Sequence, residues 1–356
     1  MSGRAARAVG AAARLVALMG LAVVVIGVAG CTAEADAAPA KTAEPTAAVR
    51  PQPADPVAPS AIGFAPLRGT PVDPAATVHP SLAVKIDNHE DARPQIALNR
   101  ADLVFEELVE GGITRYAAVW HSDVPEELGP VRSIRPMDPD ILSPLGGLVA
   151  YSGGQERFVE AMEATPLVNL VFDYDDTGLF HRADERPGPH DVILDATEAV
   201  ARHADLAPPR VQFAYGGADP LAEPGYAAVA TARIDTVFSD ARYPSWEWDA
   251  AGASWLRSQE GEPDHEACGD RVRATNVVIL RVEIDWSDGD VPRTVLVGGG
   301  EAWVSTAGRT AHGSWSKAEQ AAPVVLTADD GSPLRLAPGN TWIELVPVDG
   351  SVSFAP

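Results

Sequence analysis

Residues 85–136 read KIDNHEDARPQIALNRADLVFEELVEGGITRYAAVWHSDVPEELGPVRSIRP. The stretch opens where an alternating run, residues 82–87 (LAVKID), ends in the polar triplet Asp87-Asn88-His89. That pattern predicts a strand that delivers three functional side chains to a loop, where binding and catalytic groups concentrate. Residues 102–109 and 113–122 read as two further strands. Gly111-Gly112 lies between them, and glycine accepts the positive φ that a tight turn requires. The pair is therefore expected to form a hairpin carrying Glu106, Glu107 and Glu110 beside Arg115.

The chain on either side fits a layered fold. Residues 148–152 and 168–172 read as strands. Residues 155–164 read as a helix with Phe158, Val159 and Met162 on one stripe, and residues 195–204 as a second, capped by Asp195 or Thr197. Ala207-Pro208-Pro209 then breaks the pattern. Beyond it, Val278, Leu280, Val282, Ile284 and Trp286 alternate with polar residues, and short strands follow near 294–297, 301–305, 310–315, 324–327 and 341–346. This predicts a β-meander or small sandwich. Six of the eight tryptophans lie between Trp246 and Trp315, which places them in sheet packing. The expected fold class is an α/β (or α+β) N-terminal domain, residues 76–209, followed by a β-rich C-terminal domain, residues 210–356.

Composition bounds the partners. The 356 residues carry 27 basic and 50 acidic side chains, a formal charge of −23. Nucleic acid is not an expected partner, because phosphate-backbone binding needs a basic footprint. An anionic membrane surface would also repel the chain, so attachment must be covalent or hydrophobic. The two cysteines, Cys31 and Cys268, form no metal-binding spacing, and no cofactor motif or metal site is assigned.

The N-terminus reads as an address. Arg4, Arg7 and Arg14 precede an apolar run, residues 15–28, which is followed by Val28-Ala29-Gly30-Cys31. The order of charged region, short apolar region and small residues is that of a secretory signal. The run is shorter than the ~20 residues of a spanning helix. Its ending resembles the lipobox of bacterial lipoproteins. That resemblance implies cleavage after residue 30, lipidation of Cys31 on sulfur, and an extracytoplasmic protein anchored to the cell membrane. Residues 31–75 hold nine prolines and thirteen alanines without apolar periodicity, and read as a disordered tether.

Several residues stand out as chemistry. Asp87 and His89, two apart on an extended segment, point the same way and could share a metal or act as an acid–base pair; equally, Asp87 and Asn88 could cap a turn. Gly129-Pro130-Val131-Arg132-Ser133-Ile134-Arg135-Pro136 is an acid-free island in an acidic chain. Guanidinium binds carboxylate or phosphate in bidentate fashion, so Arg132 and Arg135, with the hydroxyl of Ser133, form a candidate anion site. The competing expectation is that these arginines pair with the nearby glutamates. Ser152-Gly153-Gly154 before a helix is a weak phosphate signal. The candidate ligand-binding set is Asp87, Asn88, His89, Arg93, Arg115, Arg132, Ser133, Arg135 and His190.

With these residues laid out, the chain resembles the DUF3048 family of YerB-like bacterial lipoproteins. The matching pieces are VKIDNHEDARPQIALNRADLVFEELVEGGITRYAAVW, LGPVRSIRP, AYSGG and PGPHDVIL, then GSWSK and APGNTWIELVP. The family often has Asn where this chain has Asp191, and apolar residues where it has Met137-Asp138-Pro139. The resemblance implies an extracytoplasmic lipoprotein with an α/β domain and a β-rich domain, and it supplies no reaction. Two functions fit: a lipoprotein that binds an anionic envelope ligand or a protein partner in an arginine-containing cleft, or an envelope hydrolase or phosphotransferase with His89 or His190 as base in the same cleft. The sequence leaves open whether the chain is an enzyme.

Overall fold

Leu82–Asp87 is buried along its whole length, with neighbours on both faces and both edges. It sits inside a sheet that the computed structural model, describing residues 62–223 and 225–356, shows in full. The principal strands of the first half are β1 (Leu82–Asp87), β2 (Leu103–Leu108), β3 (Thr114–Trp120), β4 (Leu148–Tyr151) and β5 (Val168–Val171). Those of the second are β6 (Arg233–Val237), β7 (Ser245–Asp249), β8 (Ser254–Gln259), β9 (Asn276–Asp285), β10 (Gly298–Thr306), β11 (Arg309–Lys317), β12 (Thr341–Pro347) and β13 (Ser351–Ala355). The α-helices among the described residues are short: α1 (Asp138–Leu142), α2 (Glu156–Glu163) and α3 (Ala196–Arg202).

One twelve-stranded sheet carries the order β11-β10-β9-β12-β2-β3-β1-β4-β5, with three short strands at its margins. β2 and β3 form the expected antiparallel hairpin, with Gly111 and Gly112 both at φ 73° in the turn. β1 pairs antiparallel with β3 and parallel with β4. β12, from near the C-terminus, lies parallel to β2, in register from Thr341 opposite Leu103 to Glu344 opposite Glu106. The late strands therefore continue the early sheet. A second sheet of six strands runs β8-β7-β6-β13 with two short additions.

The large sheet is apolar on both faces. One face gathers Ala83, Phe105, Ala117, Val149 and Tyr151 with Ile134 and Met137 from the segment before α1 and Phe158 and Met162 from α2. The other gathers Val84, Ile86, Tyr116, Trp120 and Trp342 with Ile234, Trp246 and Trp255 of the six-stranded sheet. A strand covered on both sides reads as a continuous apolar run. Accordingly Val277 and Ile279 of β9 are as buried as Val278 and Leu280.

Three expectations are corrected. The first half is strand-rich, with short helices, so an α/β description fits it only loosely, and the later strands are divided between two sheets and are not a separate meander or sandwich. The tryptophans are packing residues at Trp246, Trp255 and Trp315, but Trp286 is exposed. The tether reading fails over residues 62–75. Gly63–Phe64 pairs with Pro71–Val72, and Leu67 is fully buried. The Tyr215 hydroxyl donates to the Leu67 carbonyl at 2.6 Å, and Arg68 reaches the Ala101 carbonyl at 3.0 Å and Asp102 at 3.3 Å. Gly69, at φ 64°, lies so close to the Tyr215 ring that a Cβ would stand 2.4 Å from it. The signal, Cys31 and the remainder of the tether lie outside the described residues.

Candidate functional site

The parallel strands β1 and β4 end at the same edge, and the segment after Gly129 runs between their ends. Pro130 accepts from the Asp87 amide at 3.0 Å, and the Arg132 amide donates to the Lys85 carbonyl at 2.8 Å. On the far side the Ser152 amide donates to the Arg132 carbonyl at 3.0 Å, and the Ile134 amide to that of Gly153 at 3.1 Å. The arginine motif is thus laced into the crevice outside the carboxyl ends of two parallel strands, where ligands commonly bind in sheets of this kind.

Side-chain alternation decides which face each residue serves. Lys85 and Asp87 share the face of Ala83, and Arg115 shares that of Ala117 and Val119. Asp87 and Arg115 are register partners across β1 and β3. His190 Nδ1 lies 2.7 Å from Asp87 Oδ2, and Arg132 Nε lies 3.2 Å from the same oxygen. The His89 ring stacks on that of His190, with centroids 4.7 Å apart and 17° between planes. Arg115 donates through a terminal nitrogen to the Ser133 carbonyl at 2.8 Å. Ser133 Oγ and Ser152 Oγ are 3.3 Å apart.

Of the nine candidate residues, seven gather here: Asp87, His89, Arg115, Arg132, Ser133, Arg135 and His190. Asn88 and Arg93 do not join them. Asn88, next to Asp87, points to the opposite face, where its amide donates to Thr114 Oγ1 at 2.8 Å and its oxygen accepts from Arg93 Nε at 3.0 Å. Arg93 is further held by Glu260 at 3.2 Å. Both therefore brace the β2–β3 hairpin against the six-stranded sheet. The acid-free island is also not free of acids in space. Arg135 Nε meets Glu110 Oε2 at 2.7 Å, so for this arginine the glutamate pairing holds. Glu106 and Glu107 take other partners, Arg257 and Lys85.

The electrostatics of the crevice favour an added negative charge. Arg115, Arg132 and Arg135 converge on it against Asp87 and Glu110. Burial, and then the like charges of Arg135 and Arg132, push the Arg115 guanidinium down to about 10 despite the opposing pull of Asp87 and Glu110. The Nε–H of Arg115 is buried and makes no hydrogen bond among the described residues, whereas that of Arg132 faces Asp87 at 3.2 Å. An orphaned buried donor is costly. The crevice opens to solvent through His89 and Arg132, whose side chains are 38 % and 23 % exposed. The Asp91 carboxylate, which the sequence reading passed over, lies beside His89 on this rim. The His-x-Asp spacing on a strand-end loop was the signal for it. A cavity of about 400 Å³ lined by Arg281, Val297 and Trp315 lies in the second half of the chain, apart from these groups.

Comparison with known proteins accords with this architecture. Residues 67–207 match the family described as the N-terminal domain of a protein of unknown function, DUF3048, and residues 234–343 match its C-terminal domain. The chain belongs to the DUF3048 family. It is 30 % identical over 295 residues to a Bacillus subtilis (strain 168) protein named "Putative lipoprotein YerB", covering 80 % of this chain and 86 % of that one. The crystal structure of the YerB protein from Bacillus subtilis superposes with a TM-score of 0.70 at 25 % identity, over 82 % of this chain and 99 % of that one. Both DUF3048 regions contribute strands to the twelve-stranded sheet, whose β2–β12 seam joins them.

Proposed function

We propose that this DUF3048 protein is an extracytoplasmic lipoprotein, anchored through Cys31, that captures an anionic envelope ligand in the crevice between β1 and β4. The name of the Bacillus subtilis relative supports the lipoprotein half of the reading. The binding half rests on one observation: Arg115 and Arg132 are held close, with Asp87 as the countercharge between them, and the buried Nε–H of Arg115 has no acceptor among the described residues. A phosphate or carboxylate would accept that proton and relieve the repulsion. Ser133 and Ser152 add hydroxyls at the same place. Arg135, already bound to Glu110, sets the field and holds the loop.

Equilibrium dialysis of the full-length protein in detergent against inorganic phosphate and pyrophosphate tests this reading. One site per chain is expected. Retention no greater than that of an unrelated acidic protein would remove the proposal.

A second reading, an envelope hydrolase or phosphotransferase, is favoured by the Asp87–His190 pair. An ionised carboxylate only accepts, so it fixes the His190 proton on Nδ1 and leaves Nε2 as a base, the orientation used in acid–base and nucleophilic catalysis. Turnover of a phosphomonoester that disappears in His190→Gln would establish it.

A further inference from the structure

We propose that His89, Asp91 and His190 form a binding site for a first-row divalent transition ion, best fitted by Zn²⁺, with Asp87 as the group that orients His190. One donor atom from each of the three lies within 4.8 Å of the others. Two imidazoles and a carboxylate are the donor set of open zinc sites that keep a position for water or substrate. Hard ions such as Mg²⁺ and Ca²⁺ prefer all-oxygen surroundings and are disfavoured.

The independent observation is behind the ligands. A metal-binding imidazole characteristically donates its second N–H to a carboxylate, which fixes tautomer and ring plane. His190 does this through Nδ1 to the buried Asp87 at 2.7 Å, which leaves Nε2 for the ion. His190 itself is about nine-tenths buried, whereas the side chains of His89 and Asp91 are 38 % and 63 % exposed. That exposure matters because metal–donor bonds of about 2.0–2.1 Å require the three donors to close in from their present spread by side-chain rotation. Two arrangements must yield: the stack of His89 on His190, since near-parallel rings do not aim their in-plane lone pairs at one ion, and the backbone contact of His89. Asp91 Oδ2 lies 3.7 Å from His89 Nδ1, and that nitrogen accepts a weak 3.2 Å bond from the Asp91 amide. Either the ring gives up this bond or it ligates through Nε2, beside which Glu90 lies at 3.7 Å. Glu90 is already paired with Arg242 at 3.0 Å, and Arg132 sits on Asp87 at 3.2 Å.

The site is next to the arginine crevice but does not depend on it. The test uses the untagged full-length protein in detergent, stripped with chelator, titrated calorimetrically with Zn²⁺ and followed by Co²⁺ absorption spectra. The proposal predicts one ion per chain, visible Co²⁺ bands of a nitrogen–oxygen site, and a loss of affinity of at least about tenfold in both His89→Gln and Asp91→Asn, whose exposed positions should leave folding intact. Asp87→Asn should weaken the ion by about 10–100-fold, as removal of an orienting carboxylate does. No stoichiometric binding, or unchanged affinity in both exposed variants, overturns the metal site. Phosphate retention by the stripped wild-type protein reports separately on the anion site.

Discussion

Asp87 Oδ2 and His190 Nδ1 lie 2.7 Å apart and join the end of β1 to a loop 103 residues away. Asp87 is the last residue of β1 and has 1 % of its surface exposed, and His190, Arg132, Arg115 and the His89 amide stand around its carboxylate. Hydrogen bonds to charged groups contribute about 1.5–3 kcal/mol. A double-mutant cycle of Asp87→Ala and His190→Ala, read by urea denaturation, should give a coupling in that range. A coupling near zero would mean that the strand end and the loop are held independently.

A second buried pair makes a pH prediction. The Lys85 ammonium contacts Glu107 and, at 2.8 Å, Asp138. One ammonium cannot neutralise two carboxylates. Burial, and then the Asp138 charge, push Glu107 up to about 7 from its ordinary 4.5. A raised folded-state pKa gives stability that is complete below 4.5 and is lost as pH rises through about 7. Glu107→Gln keeps the Lys85–Asp138 contact and removes this loss. The variant should therefore gain on wild type in urea midpoint between pH 5 and pH 8. Lys85→Met should instead cost about 3–5 kcal/mol, as breaking a buried pair does.

The seam between the two DUF3048 regions rests on Arg257. This fully buried guanidinium meets Glu106 of β2 at 2.6 Å and Asp264 at 2.5 Å, and lies 5.1 Å from the Trp342 ring centroid. Glu344 is nearby on β12 and accepts from Trp246 at 2.7 Å; burial, and then Glu106, hold its carboxyl well above the usual range. Because burial and the Glu106 charge disfavour the ionised form of Glu344, Glu344→Gln should change stability by less than about 1 kcal/mol, whereas Arg257→Met should cost about 3–5 kcal/mol. Chemical denaturation of both variants checks the contrast.

Residues 62–75 should be required for full stability. Leu67→Ala removes a fully buried side chain beneath Tyr215 and should cost about 2–5 kcal/mol, the range for Leu-to-Ala changes in cores. Thermal unfolding of this variant measures how firmly the segment is docked.

The local pattern carried much of the fold. β1, the β2–β3 hairpin and α2 follow from alternation, a glycine turn and one apolar stripe. The β2–β12 pairing did not, because nothing within either strand specifies a partner more than two hundred residues away. The end of the tether was misread because Leu67 and Arg68 are isolated anchors in a Pro- and Ala-rich stretch, and their partners Tyr215 and Asp102 are remote in sequence. At the site, residue type pointed to Asp87, His89, Arg132 and His190. Their separation from Asn88 and Arg93 depended on which face of β1 each loop residue follows. The fate of Arg135 depended on Glu110, which only the hairpin brings near.

The central claim is that Arg132 binds an anion while Arg135 holds structure. Titration calorimetry with pyrophosphate, paired with urea denaturation, measures both for each alanine variant. Arg132→Ala should lose at least about tenfold in affinity, the equivalent of one charge-assisted hydrogen bond, with a modest fall in urea midpoint from the lost Asp87 contact. Arg135→Ala should lose stability, and wild-type affinity should fall as salt is raised. Wild-type affinity in Arg132→Ala, together with a clear loss of its stability, would contradict the account and make the arginine cluster structural.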